Sequence, residues 1–285
     1  MKPFRLYEPT TINETVSTLR DLGDGAKLYA GGTELLLAMK SGLLQYDGLV
    51  NVKRVPELDG LAVADNVLSV GARATHSTVE HADEVLSDFP LIARVEHGVA
   101  NVRVRNVGTI AGNLCFAEPH SDPGALLLLY EAEVDIVGPD ATRSVGIEEL
   151  VVGPYETSLA PDELLTQVRV QGFPEGMRGA YLKFGYHHRP TLGIGAAVRV
   201  EDGVFADVRL TLGSVSPMPM RLRASEDVLR GERLDSATAT ARAGELAVDV
   251  CDAIDDLHGT AEYKRHLVSV FIERALTEAI ERGER

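Results

Sequence analysis

A chain of 285 residues, 45% of them hydrophobic, is long enough for two or three packed units with cores of their own. Its 28 Lys and Arg stand against 43 Asp and Glu, a net charge of -15, which excludes a general basic field for nucleic acid or anionic membrane; any phosphate must be held locally. Two cysteines, Cys115 and Cys251, lie far apart and exclude both a disulfide framework and an iron–sulfur cluster carried by this chain alone, because such clusters normally take four thiolates.

The opening Met1 to Tyr7 has no apolar signal core, and no stretch approaches the length of a membrane span, so the expectation is a cytoplasmic protein. Then Thr11 and Glu14 fit a capping box, with Ile12, Val16 and Leu19 on one helical face and Gly23-Asp24-Gly25 as the stop. Residues 27–30 read as a short strand running into Gly31-Gly32-Thr33 and a helix from Glu34 to Lys40. A strand at 49–52 closes a small βαβ unit. Beyond a break at Pro56 and Gly60, segments 61–64 and 67–70 flank Asp65-Asn66 as a hairpin. Helices are expected at 75–86 and 91–99, the second with Leu91, Val95 and Val99 on a common face, then a buried helix at 125–130 and a strand at 133–137. Three strands follow at 180–186, 192–201 and 204–212, the last two joined at Asp202-Gly203. Helices at 224–230, 237–253 and 261–282 end the chain; in the last, Leu267, Val270, Phe271, Ala275 and Ile280 form a core stripe.

Two glycine stretches carry the chemistry. In Val104 to Asp122, the small residues Gly108, Ala111 and Gly112 leave main-chain N–H groups open to an anion, and Thr109, Asn113 and Asp122 suit a polyhydroxylated nucleotide. The competing reading is a tight turn between strands. Gly31-Gly32 before a helix N-terminus offers a second set of donors, to which a pyrophosphate would fit, or is an ordinary loop with Thr33 as N-cap. No Walker A or Gly-x-Gly-x-x-Gly pattern occurs. The adjacent His187 and His188 would point to opposite faces of a strand, a poor chelating arrangement, and no metal site is expected.

Ala30-Gly31-Gly32-Thr33-Glu34-Leu35-Leu36, followed some seventy residues later by Val104-Arg105-Asn106-Val107-Gly108-Thr109-Ile110-Ala111-Gly112-Asn113, resembles the FAD-binding medium subunit of molybdenum hydroxylases, the group of carbon monoxide dehydrogenase and xanthine dehydrogenase. The likeness covers essentially the full chain. It extends to Phe4-x-x-Tyr7-x-Pro9, Pro161-x-Glu163-Leu164-Leu165, Ala180-Tyr181-x-Lys183 and Glu262-Tyr263-x-Arg265-His266-Leu267.

The resemblance implies an α+β chain: a two-subdomain FAD-binding fold of the vanillyl-alcohol-oxidase type over 1–175 (subdomains about 1–55 and 56–175). A C-terminal α+β domain over 176–285, with a three-stranded antiparallel sheet and a helical bundle, would follow. Ala30, Gly31, Gly32, Thr33, Glu34 and Leu35 would wrap the FAD pyrophosphate together with Thr109, Ala111, Gly112 and Asn113. Asp122 would bind flavin hydroxyls, Leu164 and Leu165 would wall the isoalloxazine or adenine, and Val99 would complete the contact set. Lys183 takes the place of a family lysine near the flavin ring, where positive charge favours the anionic reduced form.

The sequence departs from the family in Ala111, where a glycine is usual, and in Glu118-Pro119 for Asp-Pro. His120 invites comparison with relatives that link FAD to histidine, but this subunit type binds it non-covalently. Cys115 is expected to be a packing residue.

The function implied is electron transfer. A small [2Fe–2S] subunit would deliver electrons, a large molybdopterin subunit would hydroxylate the substrate, and FAD in this chain would feed a final acceptor, within a dimer of three-subunit units. Two rivals stand beside it: a self-contained flavin oxidoreductase of the same superfold, for which no acid–base pair stands out, and a non-redox nucleotide-binding assembly module.

Overall fold

The computed structural model describes residues 1–185 and 189–284. Its first sheet is parallel, with strands in the order Arg5–Tyr7, Gly48–Asn51, Ala26–Tyr29. Parallel neighbours need crossovers, supplied by the helices Ile12–Leu22 and Leu35–Lys40. Thr11 Oγ1 accepts from the Glu14 N–H at 3.1 Å, while the Glu14 carboxylate accepts from the Thr10 N–H at 2.7 Å, one residue earlier than a standard capping box.

A five-stranded antiparallel sheet follows, in the order Leu61–Ala64, Val67–Gly71, Leu164–Gln171, Glu133–Val137, Thr142–Gly146. Asp65 and Asn66 turn its first hairpin at φ 51 and 62, as their side-chain types allow. The central strand Leu164–Gln171 is not among the expected strands, yet it shows the required alternation, Val168 and Val170 buried and Gln171 exposed.

The helix expected at 75–86 is two helices, His76–His81 and Asp83–Asp88, because Ala82 is extended at ψ 127. Asp83 and Glu84 then begin the second helix, where acidic side chains complement its dipole. Two short helices, Val102–Arg105 and Ile110–Phe116, occupy what reads in sequence as loop. Asp122–Leu129 is buried along its whole length.

The C-terminal sheet has four strands rather than three: Met177–Phe184, Leu192–Glu201, Val204–Gly213 and Met220–Arg221. The fourth pairs only through Met220 and Arg221, too short to leave a pattern in sequence. The first starts three residues before its expected position; its expected end at Tyr186, and the His187-His188 pair, lie outside the described residues. Asp202 and Gly203 turn the long hairpin at φ 50 and 76.

Helices Arg223–Leu229, Ala237–Val250 and Ala261–Arg282 pack on one face of this sheet, with Leu267, Phe271 and Ala275 buried and Val270 and Ile280 partly so. Leu192 to Val198 are buried without a break, as befits a strand covered on both sides. Ile194, Ala196 and Val198 join the C-terminal core, while Ala197, Met177 and Tyr181 join the core built mainly from residues 16–173. The sheet is thus a shared wall between the two halves. Among the described residues no helix is long and apolar enough to cross a membrane.

Candidate functional site

The two glycine stretches touch. A Cβ on Gly31 would lie 2.3 Å from the Val107 carbonyl oxygen and 2.6 Å from Gly108 Cα, so no larger residue fits without parting the loops. Gly32 turns at φ 73, and a Cβ there would lie 2.2 Å from the Tyr29 ring. Among the described residues, none accepts a hydrogen bond from the main-chain N–H groups of Gly31, Gly32, Thr33 or Glu34. Thr33 is not the N-cap of the next helix; Glu34 holds that position without a side-chain bond.

Thr109 does cap a helix: its Oγ1 accepts from the Gly112 N–H at 2.9 Å, so Gly-Thr-x-x-Gly starts Ile110–Phe116 rather than turning between two strands. Ala111, in place of the usual glycine, is buried and packs in the main core.

Both loops open on one cleft of about 630 Å³, within the range of roughly 300–1,000 Å³ common for small-molecule sites. Every residue of the expected set except Lys183 lines it: Ala30, Gly31, Gly32, Thr33, Glu34, Leu35, Val99, Thr109, Ala111, Gly112, Asn113, Asp122, Leu164 and Leu165. Leu159 and Pro161 extend the apolar wall of Leu164 and Leu165. Asn113 Oδ1 accepts from Ser121 Oγ at 2.7 Å, which fixes the amide at the cleft edge.

Lys183 does not line the cleft but is bound to Asp122, which does. Its ammonium donates to Asp122 Oδ2 at 2.8 Å and to the Gly98 carbonyl at 2.6 Å, with both side chains closed to solvent. Tyr181 adds a hydroxyl bond to Asp122 Oδ1 at 3.2 Å. Burial pushes the Asp122 carboxyl up, against the pull of Lys183 and Tyr181. Asp122 therefore borders the cleft while joining the helix it starts to the C-terminal sheet.

A second polar group at the cleft has no signature in sequence, because its members are scattered. Arg189 bridges Glu34 of the first loop at 2.9 Å and Glu118. Glu118 also accepts from the Tyr155 hydroxyl at 2.8 Å. Burial alone would raise the Glu118 carboxyl, but hydrogen bonds from His120 and Tyr155 and the charge of Arg189 bring it down to about 2. His120 lines the cleft, stacked on His258 with centroids 4.3 Å apart. Cys115 is no thiolate: desolvation pushes its thiol up to about 12, despite Lys27 nearby.

The arrangement fits a dinucleotide: unpaired main-chain donors for phosphate, hydroxyl and amide groups at the second loop, and an apolar wall for a ring. Residues 2–170 match the family described as the FAD binding domain in molybdopterin dehydrogenase, and residues 188–279 match the CO dehydrogenase flavoprotein C-terminal domain. The chain is 31% identical over 278 residues to the carbon monoxide dehydrogenase medium chain of Hydrogenophaga pseudoflava, covering 97% of this chain and 96% of that one. To the nicotine 6-hydroxylase medium subunit of Paenarthrobacter nicotinovorans it is 29% identical over 277 residues, covering 96% of each.

A solved structure of carbon monoxide dehydrogenase from Hydrogenophaga pseudoflava, lacking the Mo-pyranopterin moiety of the molybdenum cofactor, superposes with TM-score 0.95 at 31% identity, over 99% of this chain and 100% of that one. Sequence, fold and cleft agree: the chain belongs to the family of FAD binding domains in molybdopterin dehydrogenases, followed by the C-terminal domain of carbon monoxide dehydrogenase flavoproteins.

Proposed function

We propose that this chain is the FAD-carrying electron-transfer subunit of a molybdenum hydroxylase. It would take electrons from a [2Fe–2S] partner subunit and pass them to a final acceptor, while a molybdopterin subunit transforms the substrate. The observation that carries this reading is the meeting of two glycine loops, each poor in side chains, over one cleft lined by thr, asn and leucine groups of the expected set. Bound FAD supplies a centre that accepts electrons singly and gives them up in pairs. With only two cysteines, this chain needs a partner to hold the clusters.

The residues divide the work. Gly31 to Glu34 offer main-chain donors to the pyrophosphate, and Thr33, Thr109 and Asn113 offer side chains. Gly32 and Gly112 keep the approach open, and Ala30, Leu35, Val99, Ala111, Leu164 and Leu165 exclude water. Asp122 holds a flavin hydroxyl. Lys183 acts through Asp122, whose carboxylate it fixes, rather than on the ring. The same proposal treats 1–175 as the FAD-binding part and 176–285 as the C-terminal domain, in a cytoplasmic dimer of three-subunit units.

The visible spectrum of the purified chain tests the reading, taken before and after denaturation with chromatography of what is released. Yellow protein that gives up intact FAD is the expected result. A colourless chain that refuses FAD on reconstitution but binds ADP would overturn it.

A further inference from the structure

Three buried side-chain polar atoms among the described residues have no hydrogen-bond partner: His120 Nε2, Thr211 Oγ1 and Ser214 Oγ. Of these residues only His120 lines the cleft. A buried polar atom left unsatisfied is costly, so its place at a ligand site calls for a function.

Charged and titratable groups meet His120 from each side. Its Nδ1 lies 3.4 Å from Glu118 Oε1, and its Nε2 lies 3.4 Å from Asp256 Oδ2, at ion-pair distance but without hydrogen-bond geometry. His258 covers one face of the ring at an interplanar angle of 28°. Behind these, Lys264 holds Asp256 at 2.6 Å, and Arg189 and Tyr155 hold Glu118.

Lys27 apart, the other basic side chains near the cleft among the described residues are paired with carboxylates. Arg189 is paired with two carboxylates, His76 Nδ1 is bound to Glu96 at 2.5 Å, and Lys183 is neutralised by Asp122. Lys27 lines the cleft but is exposed, so solvent already screens its charge.

We propose that His120 is the redox-linked protonation site of this cleft: it takes up a proton from solvent when bound FAD is reduced and releases it on reoxidation. The inference rests on the FAD reading above. Two electrons from a one-electron reductant and one proton convert FAD to anionic FADH⁻. The added negative charge is matched by a second proton, which goes from solvent to the imidazole of His120. When an acceptor withdraws the electron pair, the ring gives up its proton and His120 returns the other to solvent. Glu118 and Asp256, both held as carboxylates by cationic neighbours, lie next to the two ring nitrogens of His120, and the stack on His258 fixes its plane.

The test is electrochemical reduction of the FAD-loaded full chain through a viologen mediator, with proton uptake per bound FAD read from a pH indicator near neutrality. His120→Gln should lower that uptake by about half a proton or more relative to the unsubstituted chain; equal uptake in the two overturns the inference. Should the variant not fold, the unsubstituted chain decides alone. Its midpoint potential should fall more steeply with pH than that of free FAD through the neutral range, and an identical slope overturns the inference. A chain that binds no FAD overturns the cofactor reading and this inference together, whereas bound FAD with an unchanged proton count overturns only the latter.

Discussion

Lys183 and Asp122 face each other at 2.8 Å at the border of the cleft, and their contact ties the C-terminal sheet to the helix Asp122–Leu129. Removing one partner of a buried pair leaves the other charge uncompensated, at a cost of about 3–5 kcal/mol. Asp122→Ala should therefore lower the stability of the FAD-free chain by about that much in urea unfolding. A residue serving only cofactor hydroxyls would leave FAD-free stability unchanged, so the apo measurement separates the two roles.

Gly31 and Gly32 should fail for different reasons. Gly31→Ala sets a methyl against the Val107 carbonyl and parts the loops, so FAD occupancy should fall at least about tenfold while global unfolding moves little. Gly32→Val adds the strain of a β-branched residue at φ 73, about 1–3 kcal/mol, to its collision with Tyr29. Gly112→Val meets only Thr109 Oγ1, at 2.8 Å from its Cβ, and should cost a helix cap together with FAD. Thermal melts of the apo variants beside their flavin content check all three; normal flavin content would sink the loop assignments.

Acid should reach the cleft through Glu118. Its carboxyl binds a proton more weakly in the folded chain, at about 2, than at the ordinary value of 4.5. Between those values the unfolded chain holds more protons, so the stability that Glu118 contributes is complete above about pH 4.5 and is lost as pH falls toward 2. Glu118→Gln should flatten this limb of an acid-unfolding curve followed by circular dichroism. An unchanged limb would mean that other carboxylates govern it.

Arg189 joins the first glycine loop to Glu118 across the cleft. Arg189→Met should speed FAD release by about tenfold, equivalent to roughly 1.4 kcal/mol, with little change in the fold. Stopped-flow displacement of FAD checks it, and an unaltered release rate would show that the bridge does not retain the cofactor.

Residues close in sequence announced much of this protein. Thr11 with Glu14, Asp65-Asn66 and Asp202-Gly203 set local backbone geometry by side-chain bonding and tolerance of positive φ, and each lies where its type requires. The glycine stretches were legible for the same reason, since absent side chains are a local property. Two short helices were hidden, Ile110–Phe116 because Gly112 interrupts its apolar pattern and Val102–Arg105 because four residues are too few to show a helical period, whereas caps from Thr109 and Asn101 establish them in space. The central strand Leu164–Gln171 depended on partners from two separate stretches.

What only the tertiary structure decided is which charges meet. Lys183, expected near the flavin, pairs with Asp122, 61 residues earlier in the chain. Arg189 reaches Glu34 over 155 residues, and His120 stacks on His258 from the C-terminal half. Coulomb energy and burial depend on distance through space, which spacing along the chain does not encode. The sequence alone thus determined the two glycine loops at the cleft, and folding determined the electrostatics around them.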